Sequence, residues 1–519
     1  MTLAQLLERA ALRRPDLDAV IDGARRLTYV EMIRQVAAAG RGFARLGIRR
    51  RDRVLIAVKN RLEHVISFWA LQTIGAVPTP VNFRFSLEEM RYVLEDSGAS
   101  VVLFEAATAA AVLGAVSGRA AKSVFVGDEA PTGAIPFREL LLEGPDAAVE
   151  VKEGDLSLIL YTSGTTGRPK GVPRTHKNQY SGALAHVVQC QYEWGERTLG
   201  VMPLYHTMGI HSLTSMAAIN GCFVCQSDWS AEGALRLIAD EKITSLYLIP
   251  TLFYDLTRGL EMTPMDVSSV RKLAYAGAPM LAQLTDKCVK AFRPQVFVNH
   301  YGSTEVYTFS VRSNVAAKPG CAGHPGVHSA LRIVTASPER QVQPDEIVPR
   351  GEKGEIITSL DSDEAFAGYW NRPDADAKAL RAGWYFTGDM GYIDEEGDLY
   401  VSGRVDDMII SGGENIHPVE VEEVLARHPK VLEVAVVGEP DEKWGERVVA
   451  FVVPKEIGLT SETLDQYCLD SPHLANFKRP RRVVFVAEIP KTASGKILRR
   501  ILREGGYKEI RKGADKEQQ

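Results

Sequence analysis

Apolar positions along the chain follow two periods. Leu3, Leu6, Leu7 and Ala10 recur at helical spacing and predict an amphipathic N-terminal helix. Short β-rich runs at 54–58 and 100–104 flank a helical pattern at 87–94. The alternation returns as a helix at 231–241, a strand at 243–249, a helix from Thr251, a strand at 273–276, a helix at 280–292 and a strand at 295–299. Such spacing predicts an α/β fold, a parallel sheet with helices on both faces, and ligands beyond the carboxyl ends of its strands. No solenoid period is visible.

The pattern changes after Arg340. Runs at 355–358, 391–393 and 399–401, separated by Gly and acidic turns, predict antiparallel strands. From His417 a compact α+β unit follows. Pro418 suits a first helical turn, Val421, Val424 and Leu425 form an apolar stripe, and 431–437 and 448–453 read as strands. The Gly- and Asp-rich stretch 402–414 reads as a joint between a large body and a small C-terminal lobe.

Composition narrows the function classes. A chain of 519 residues, 45% hydrophobic and 24% charged, supports two to four domains and offsets the entropy of ordering. With 61 Lys+Arg against 66 Asp+Glu, the net charge of −5 disfavours a dedicated nucleic-acid binder. The most apolar stretch, 65–81, is broken by Gln72, Thr73, Gly75, Pro78 and Pro80, so no membrane span is expected. Of the six cysteines, Cys222 and Cys225 form a lone C-x-x-C, read as two small residues on a buried strand rather than a zinc site. The N-terminus lacks a secretory apolar region and the C-terminus ends Lys-Glu-Gln-Gln, so a reducing cytoplasm is expected.

The strongest chemical signal is Tyr161-Thr-Ser-Gly-Thr-Thr-Gly-Arg-Pro-Lys170-Gly171, after an apolar strand at 155–160. Thr162, Ser163, Thr165 and Thr166 offer hydroxyls, Gly164 and Gly167 let backbone N–H groups approach phosphate oxygens, and Lys170 adds a charge. No Walker A string is present. A Ser/Thr/Gly cluster alone reads as a polar turn; the extended string and the preceding strand favour phosphate.

This string resembles the phosphate loop of the acyl- and aryl-CoA synthetases, the adenylate-forming superfamily that also holds firefly luciferase and the adenylation domains of peptide synthetases. The resemblance recurs in the family's order along almost the whole chain. It covers Pro203-Leu-Tyr-His206-Thr-Met-Gly209, Tyr275-Ala-Gly277-Ala-Pro279, Asn299-His-Tyr301-Gly-Ser-Thr304-Glu305, Trp384-Tyr-Phe-Thr-Gly-Asp389, the stretch 403–418, and Pro490-Lys-Thr-Ala-Ser-Gly-Lys496. Residues 403–418 and Phe477-Lys-Arg479-Pro look most similar to 4-chlorobenzoate-CoA ligase.

The resemblance implies a large N-terminal domain, 1–405, of α/β layers plus a β subdomain, and a small mobile α+β domain, 406–519, hinged at Asp406. It implies a carboxylate that attacks ATP to give an acyl-adenylate, and CoA that then displaces AMP. Glu305 would hold Mg²⁺ beside the Thr304 hydroxyl. Tyr301 would stack on adenine, with Gly277, Ala278 and Pro279 along its edge. Asp389 would bind ribose, with Arg404 near the nucleotide. Lys496 would bridge carboxylate and α-phosphate. Gly412 and Gly413 would admit the pantetheine arm beside Trp444, while Phe477 and Arg479 hold the CoA nucleotide. His206 matches the gate between acyl pocket and tunnel, although a lone His is more often a core residue.

The acid is the least legible part. Tyr247, Ala276, Val306 and Tyr307 are the expected pocket wall, aromatic or apolar and without a carboxylate for an amine. That favours a benzoate-type acid. Where 4-chlorobenzoate-CoA ligase has a phenylalanine, Ala183 or Ala185 stands here, which keeps a larger aryl acid or a medium-chain fatty acid open. A stand-alone domain loading an acyl carrier protein, a luciferase-like oxygenase and an inactive binding protein are further alternatives. Trp444, Phe477 and Arg479 favour free CoA, and intact Lys496, Glu305 and Asp389 favour an active enzyme. A homodimer is left open.

Overall fold

The computed structural model describes residues 1–145, 149–162, 168–337, 340–412, 414–456, 458–491 and 497–510. The N-terminal pattern forms the helix Leu3–Arg13, opened by a Thr2–Gln5 capping box, with Leu3, Leu6, Leu7 and Ala10 buried. The same device starts the helices Tyr29–Arg45, Leu87–Ser97 and His176–Gln189, through Thr28–Glu31, Ser86–Glu89 and Thr175–Asn178. The apolar stretch 65–81 divides between the buried helix Leu62–Thr73 and the strand Val77–Pro80. That strand lies at a sheet edge, where the N–H groups missing from Pro78 and Pro80 cost no ladder bond. No helix among the described residues is long and apolar enough to cross a membrane.

The chain divides into two compact units, Met1–Leu331 with Thr358–Tyr385, and Arg332–Ile357 with Phe386–Gln519. Among the described residues, the first contains a nine-stranded and a five-stranded sheet. In the larger sheet, Arg197–Gly200, Ser245–Leu248, Lys272–Tyr275 and Val296–Tyr301 run parallel, as the alternating pattern predicts. Tyr247 pairs with Ala274 and Ala274 with Val298, so Tyr247, Ala274 and Val298 share one face of the sheet. Cys222–Cys225 is a buried strand of the same sheet, and burial pushes the Cys222 thiol up to about 12, which bears out the structural reading of that pair.

The second unit carries the predicted antiparallel strands, with Trp384–Ile393 pairing Leu399–Arg404 from Asp389↔Arg404 onward. Its C-terminal part is the expected α+β unit. Pro418 opens the helix Pro418–Ala426, whose Val421, Val424 and Leu425 are buried, and the hairpin Val431–Asp441/Gly445–Pro454 carries the core.

Candidate active site

The expected phosphate loop is the connection of a hairpin. Leu156–Thr162 and Lys170–Thr175 pair antiparallel and close with Thr162 opposite Lys170. The Thr162 hydroxyl donates to the Lys170 carbonyl across 3.4 Å. Ser163, Gly164, Thr165, Thr166 and Gly167 lie outside the described residues. Lys170 Nζ lies 4.1 Å from the centre of the Tyr369 ring.

A tight loop carries the next group. Val296–Tyr301 ends in Gly302, where a Cβ would stand 2.0 Å from the Tyr307 carbonyl oxygen, so only glycine lets the loop fold back. Ser303 N donates to Val306 O at 3.0 Å, Phe309 N donates to Tyr301 O at 2.8 Å, and Ser303 Oγ accepts from Glu305 N at 3.2 Å. The Thr304–Glu305 pair, which by itself reads as a helix start, is therefore a loop. Glu305 is buried, and its Oε1 accepts from the Tyr369 hydroxyl at 2.6 Å. Thr304 Oγ1 accepts from Thr207 Oγ1 at 3.2 Å.

Arg174 holds this loop from below. It is fully buried, donates to the carbonyls of Thr304 at 3.1 Å and Glu305 at 2.8 Å and to that of Glu364, and lies 3.8 Å over the Tyr307 ring. Neither Arg174 nor Tyr369 is singled out by the sequence. The signal for Tyr369 was the aromatic pair before Asn371-Arg372-Pro373; Arg174 had no local signal, because its partners lie about 130 and 190 residues away.

Gly277, at φ +86°, turns the chain after Lys272–Tyr275 and leaves Gly277 and Pro279 exposed, with Ala276 and Ala278 half-buried. Tyr301 is half-buried and meets Phe309 edge-on at 5.0 Å. His206 caps the helix Thr207–Ala218, its ring accepting from Met208 N at 3.5 Å. Desolvation pushes its titration down to about 4, which keeps it neutral.

Tyr247, Val306 and Tyr307 are buried, and around the two tyrosines stand three histidines that the sequence reading passed over. His186 lies 4.6 Å from Tyr247, 5.0 Å from His300 and 5.6 Å from His211, and His211 meets Tyr307 edge-on at 4.1 Å. Burial holds His186 well below its ordinary value, His211 down to about 3 and His300 to about 4. Gly182 makes room for them: a Cβ there would stand 2.7 Å from Tyr307 and 3.0 Å from His211 Nε2. Ala183 and Ala185 are buried on the same helix.

The second unit holds its own group. Asp389 accepts from Arg404 Nη1 at 2.7 Å, and Arg404 Nη2 donates to Thr387 O at 3.3 Å. Asp406 is exposed in the short turn Val405–Asp407, and its neighbour Asp407 pairs with Arg499 and Arg503 at 3.4 Å. Gly412, at φ +62°, donates to Trp444 O at 2.7 Å and would crowd the Trp444 ring at 2.9 Å if it carried a Cβ. Trp444 and Phe477 are exposed, and Arg479 donates to Asp465 at 2.7 Å. Gly413 and Lys496 lie outside the described residues.

Residues 7–370 match the AMP-binding enzyme family, and residues 420–496 match the AMP-binding enzyme C-terminal domain. A 4-chlorobenzoate–CoA ligase from Arthrobacter sp is 34% identical, covering 97% of this chain and 95% of its own. A long-chain-fatty-acid–CoA ligase from Mycobacterium tuberculosis is 32% identical, covering 96% and 97%. Among solved structures, an o-succinylbenzoate CoA synthetase from Bacillus subtilis with its acyl-adenylate intermediate superposes with a TM-score of 0.83 at 28% identity, covering 97% and 99%. The chain therefore belongs to the AMP-binding enzymes, and within them to the AMP-forming acid–CoA ligases.

Proposed function

We propose that the acid is aromatic, of the benzoate type. The observation that carries this is the ring-lined wall, where Tyr247, Tyr307 and three imidazoles meet by tilted and edge contacts of 4.1 to 5.6 Å. A flat acid gains about 0.5–1.5 kcal/mol from such contacts beyond area burial. An alkyl chain makes no comparable contact. The 4-chlorobenzoate and o-succinylbenzoate relatives support the same reading. The fatty-acid relative supports a second one, a medium-chain fatty acid admitted past Ala183 and Ala185.

In the first half-reaction a carboxylate oxygen attacks the α-phosphorus of ATP, the bond to pyrophosphate breaks, and pyrophosphate leaves with the electron pair. Chemistry of this kind needs positioning and charge neutralisation rather than a covalent protein group. The loop 162–167 and Lys170 hold the phosphates, Tyr301 packs on adenine, Gly277, Ala278 and Pro279 line its edge, and Asp389 with Arg404 binds ribose. The buried Glu305 carboxylate beside the Thr304 hydroxyl is a hard oxygen donor set that fits Mg²⁺, which neutralises phosphate charge when bound. Lys496 stabilises the charge that develops between carboxylate and α-phosphate.

In the second half-reaction the CoA thiol gives up its proton, sulfur attacks the acyl carbon, and AMP leaves. Gly412 and Gly413 leave space for the pantetheine arm beside Trp444, Phe477 and Arg479 hold the CoA nucleotide, and His206 is the gate. Lys496 serves only the first step and the glycine face only the second, so the small domain, 406–519, turns about Asp406 between them.

An ATP–pyrophosphate exchange screen over benzoates, cinnamates and fatty acids, with and without CoA, tests the reading. Benzoates or cinnamates should give the highest kcat/KM. Octanoate outperforming every aryl acid would overturn the aromatic assignment.

A further inference from the structure

The histidine cluster carries information about the acid beyond its shape. His211 Nε2 and His300 Nε2 are buried without a hydrogen-bond partner. Two other buried histidines with an unpartnered Nε2 are each held through the opposite nitrogen: His64 Nδ1 lies 2.8 Å from Val58 O, and His176 Nδ1 accepts from Leu3 N at 3.1 Å. The rings of His211 and His300 pack against other rings, Tyr307 for the one, Tyr247 for the other, and His186 for both. A buried polar atom without a partner costs stability, and it is retained where a ligand supplies the partner.

The cluster also stands where the far end of an aryl acid would reach. His300 precedes Tyr301 on the same strand, so their side chains leave opposite faces of the sheet. Thr207 touches Thr304 beside Glu305, and His211 follows Thr207 by one helical turn, about 6 Å along the axis. A carboxylate held near Thr304 by a para-substituted ring would bring the opposite substituent to that depth.

We propose that the acid carries a neutral hydrogen-bonding group, a phenolic hydroxyl, at the end remote from its carboxylate, and that His300 and His211 bind it. This rests on the aromatic reading of the same pocket. Neutral imidazoles can donate or accept according to tautomer, as a hydroxyl can, so each finds a partner in the other. A second carboxylate would find no counter-charge. Among the described residues, the buried cations nearby are engaged: the terminal nitrogens of Arg174 donate to three backbone carbonyls below the Tyr307 face, and Lys272 pairs with Glu196 at 2.8 Å. A soft metal ion is the competing occupant, because His186, Cys190 and His300 bring ligand atoms within 4.8 Å of one another. The spacing of His186 and Cys190 on one helical turn suits such an ion.

The test is the ratio of kcat/KM for 4-hydroxybenzoate and 4-hydroxycinnamate to benzoate and cinnamate, with octanoate alongside, in the wild type, His300→Leu and His300→Gln. The wild type should prefer the hydroxylated acid by at least ~10-fold, since a site built to bind a hydroxyl rejects the analogue lacking it. His300→Leu should erase most of that ratio, and His300→Gln should recover part of it. Equal use of hydroxylated and unsubstituted aryl acids by the wild type, with octanoate poor, would overturn the proposal and leave the aromatic reading standing. Octanoate ahead of all of them would overturn both. One equivalent of zinc retained through chelator dialysis by the wild type and lost by Cys190→Ser would also overturn it, because the ion would then be what the histidines bind.

Discussion

The Tyr369 hydroxyl donates to a Glu305 carboxylate oxygen across 2.6 Å, while Lys170 lies 4.1 Å over the same ring. One phenol thus links the residue that closes the hairpin expected to hold phosphate to the carboxylate expected on the divalent ion. Its removal leaves that carboxylate able to turn. Tyr369→Phe is expected to raise the Mg²⁺ concentration needed for half-maximal ATP–pyrophosphate exchange by about 10-fold, the scale of one hydrogen bond to a charged group. Excess Mg²⁺ should restore most of the rate. An unchanged Mg²⁺ titration would show that the bond does not serve the ion site.

Lys496→Ala is expected to lower acyl-adenylate formation by at least ~10²-fold, the loss seen when one donor to a developing charge is removed. Thioester formation from pre-made acyl-adenylate should stay within a few-fold of wild type. Rapid-quench assays of the two half-reactions separate these outcomes, and equal losses in both would refute a lysine used in one state only.

Asp406→Pro fixes φ near −65° and removes an N–H at the expected pivot. Pyrophosphate exchange should survive while CoA-dependent turnover collapses. Normal CoA turnover in this variant would place the pivot elsewhere.

Glu364 gives a pH signature. Burial pushes its titration from 4.5 up to about 7, with Arg174 pulling the other way. The folded protein therefore binds more protons than the unfolded chain between those values, and this group's contribution to stability falls as pH rises through that window. The neutral histidines act with the opposite sign: His211 and His300, held down to about 3 and about 4, favour the folded state less as pH falls below 6.5. Comparing variant with wild type at each pH isolates Glu364. Glu364→Gln should be more stable than wild type at pH 8 by up to ~3 kcal/mol and nearly equal to it at pH 4.5, measured by urea unfolding. A constant difference across pH would refute the assignment.

Local pattern made much of the fold legible. The capping boxes at Thr2, Thr28 and Ser86 start helices where apolar spacing starts. The run of alternating strands and helices from Ala231 to Tyr301 became parallel neighbours. Strand ends were less legible: 391–393 reads as three residues, yet the strand is Trp384–Ile393, because Gly388 at φ +70° interrupts the pattern without ending the ladder. At the candidate site, motif residues such as Glu305 and Asp389 stand out in the sequence because chemistry and string coincide. Arg174, His186, His211 and Tyr369 do not. His211 sits on the helix Thr207–Ala218, buried on every side, and His186 on the buried face of its own helix, so neither stands out locally, and their meeting with His300 joins segments about a hundred residues apart.

The missing side chain at Gly302 has an evolutionary consequence. It lets residues 301–309 fold back on themselves, with Phe309 N on Tyr301 O, Ser303 N on Val306 O and Gly302 pressed against the Tyr307 carbonyl. The ring expected on adenine, the carboxylate expected on the ion and the wall expected on the acid thus move as one piece. A lineage drifting toward a new acid through Val306 or Tyr307 would disturb its own nucleotide handling with each step. New specificities should therefore accumulate on the two helices that carry Gly182, Ala183, His186 and His211 before they reach this turn.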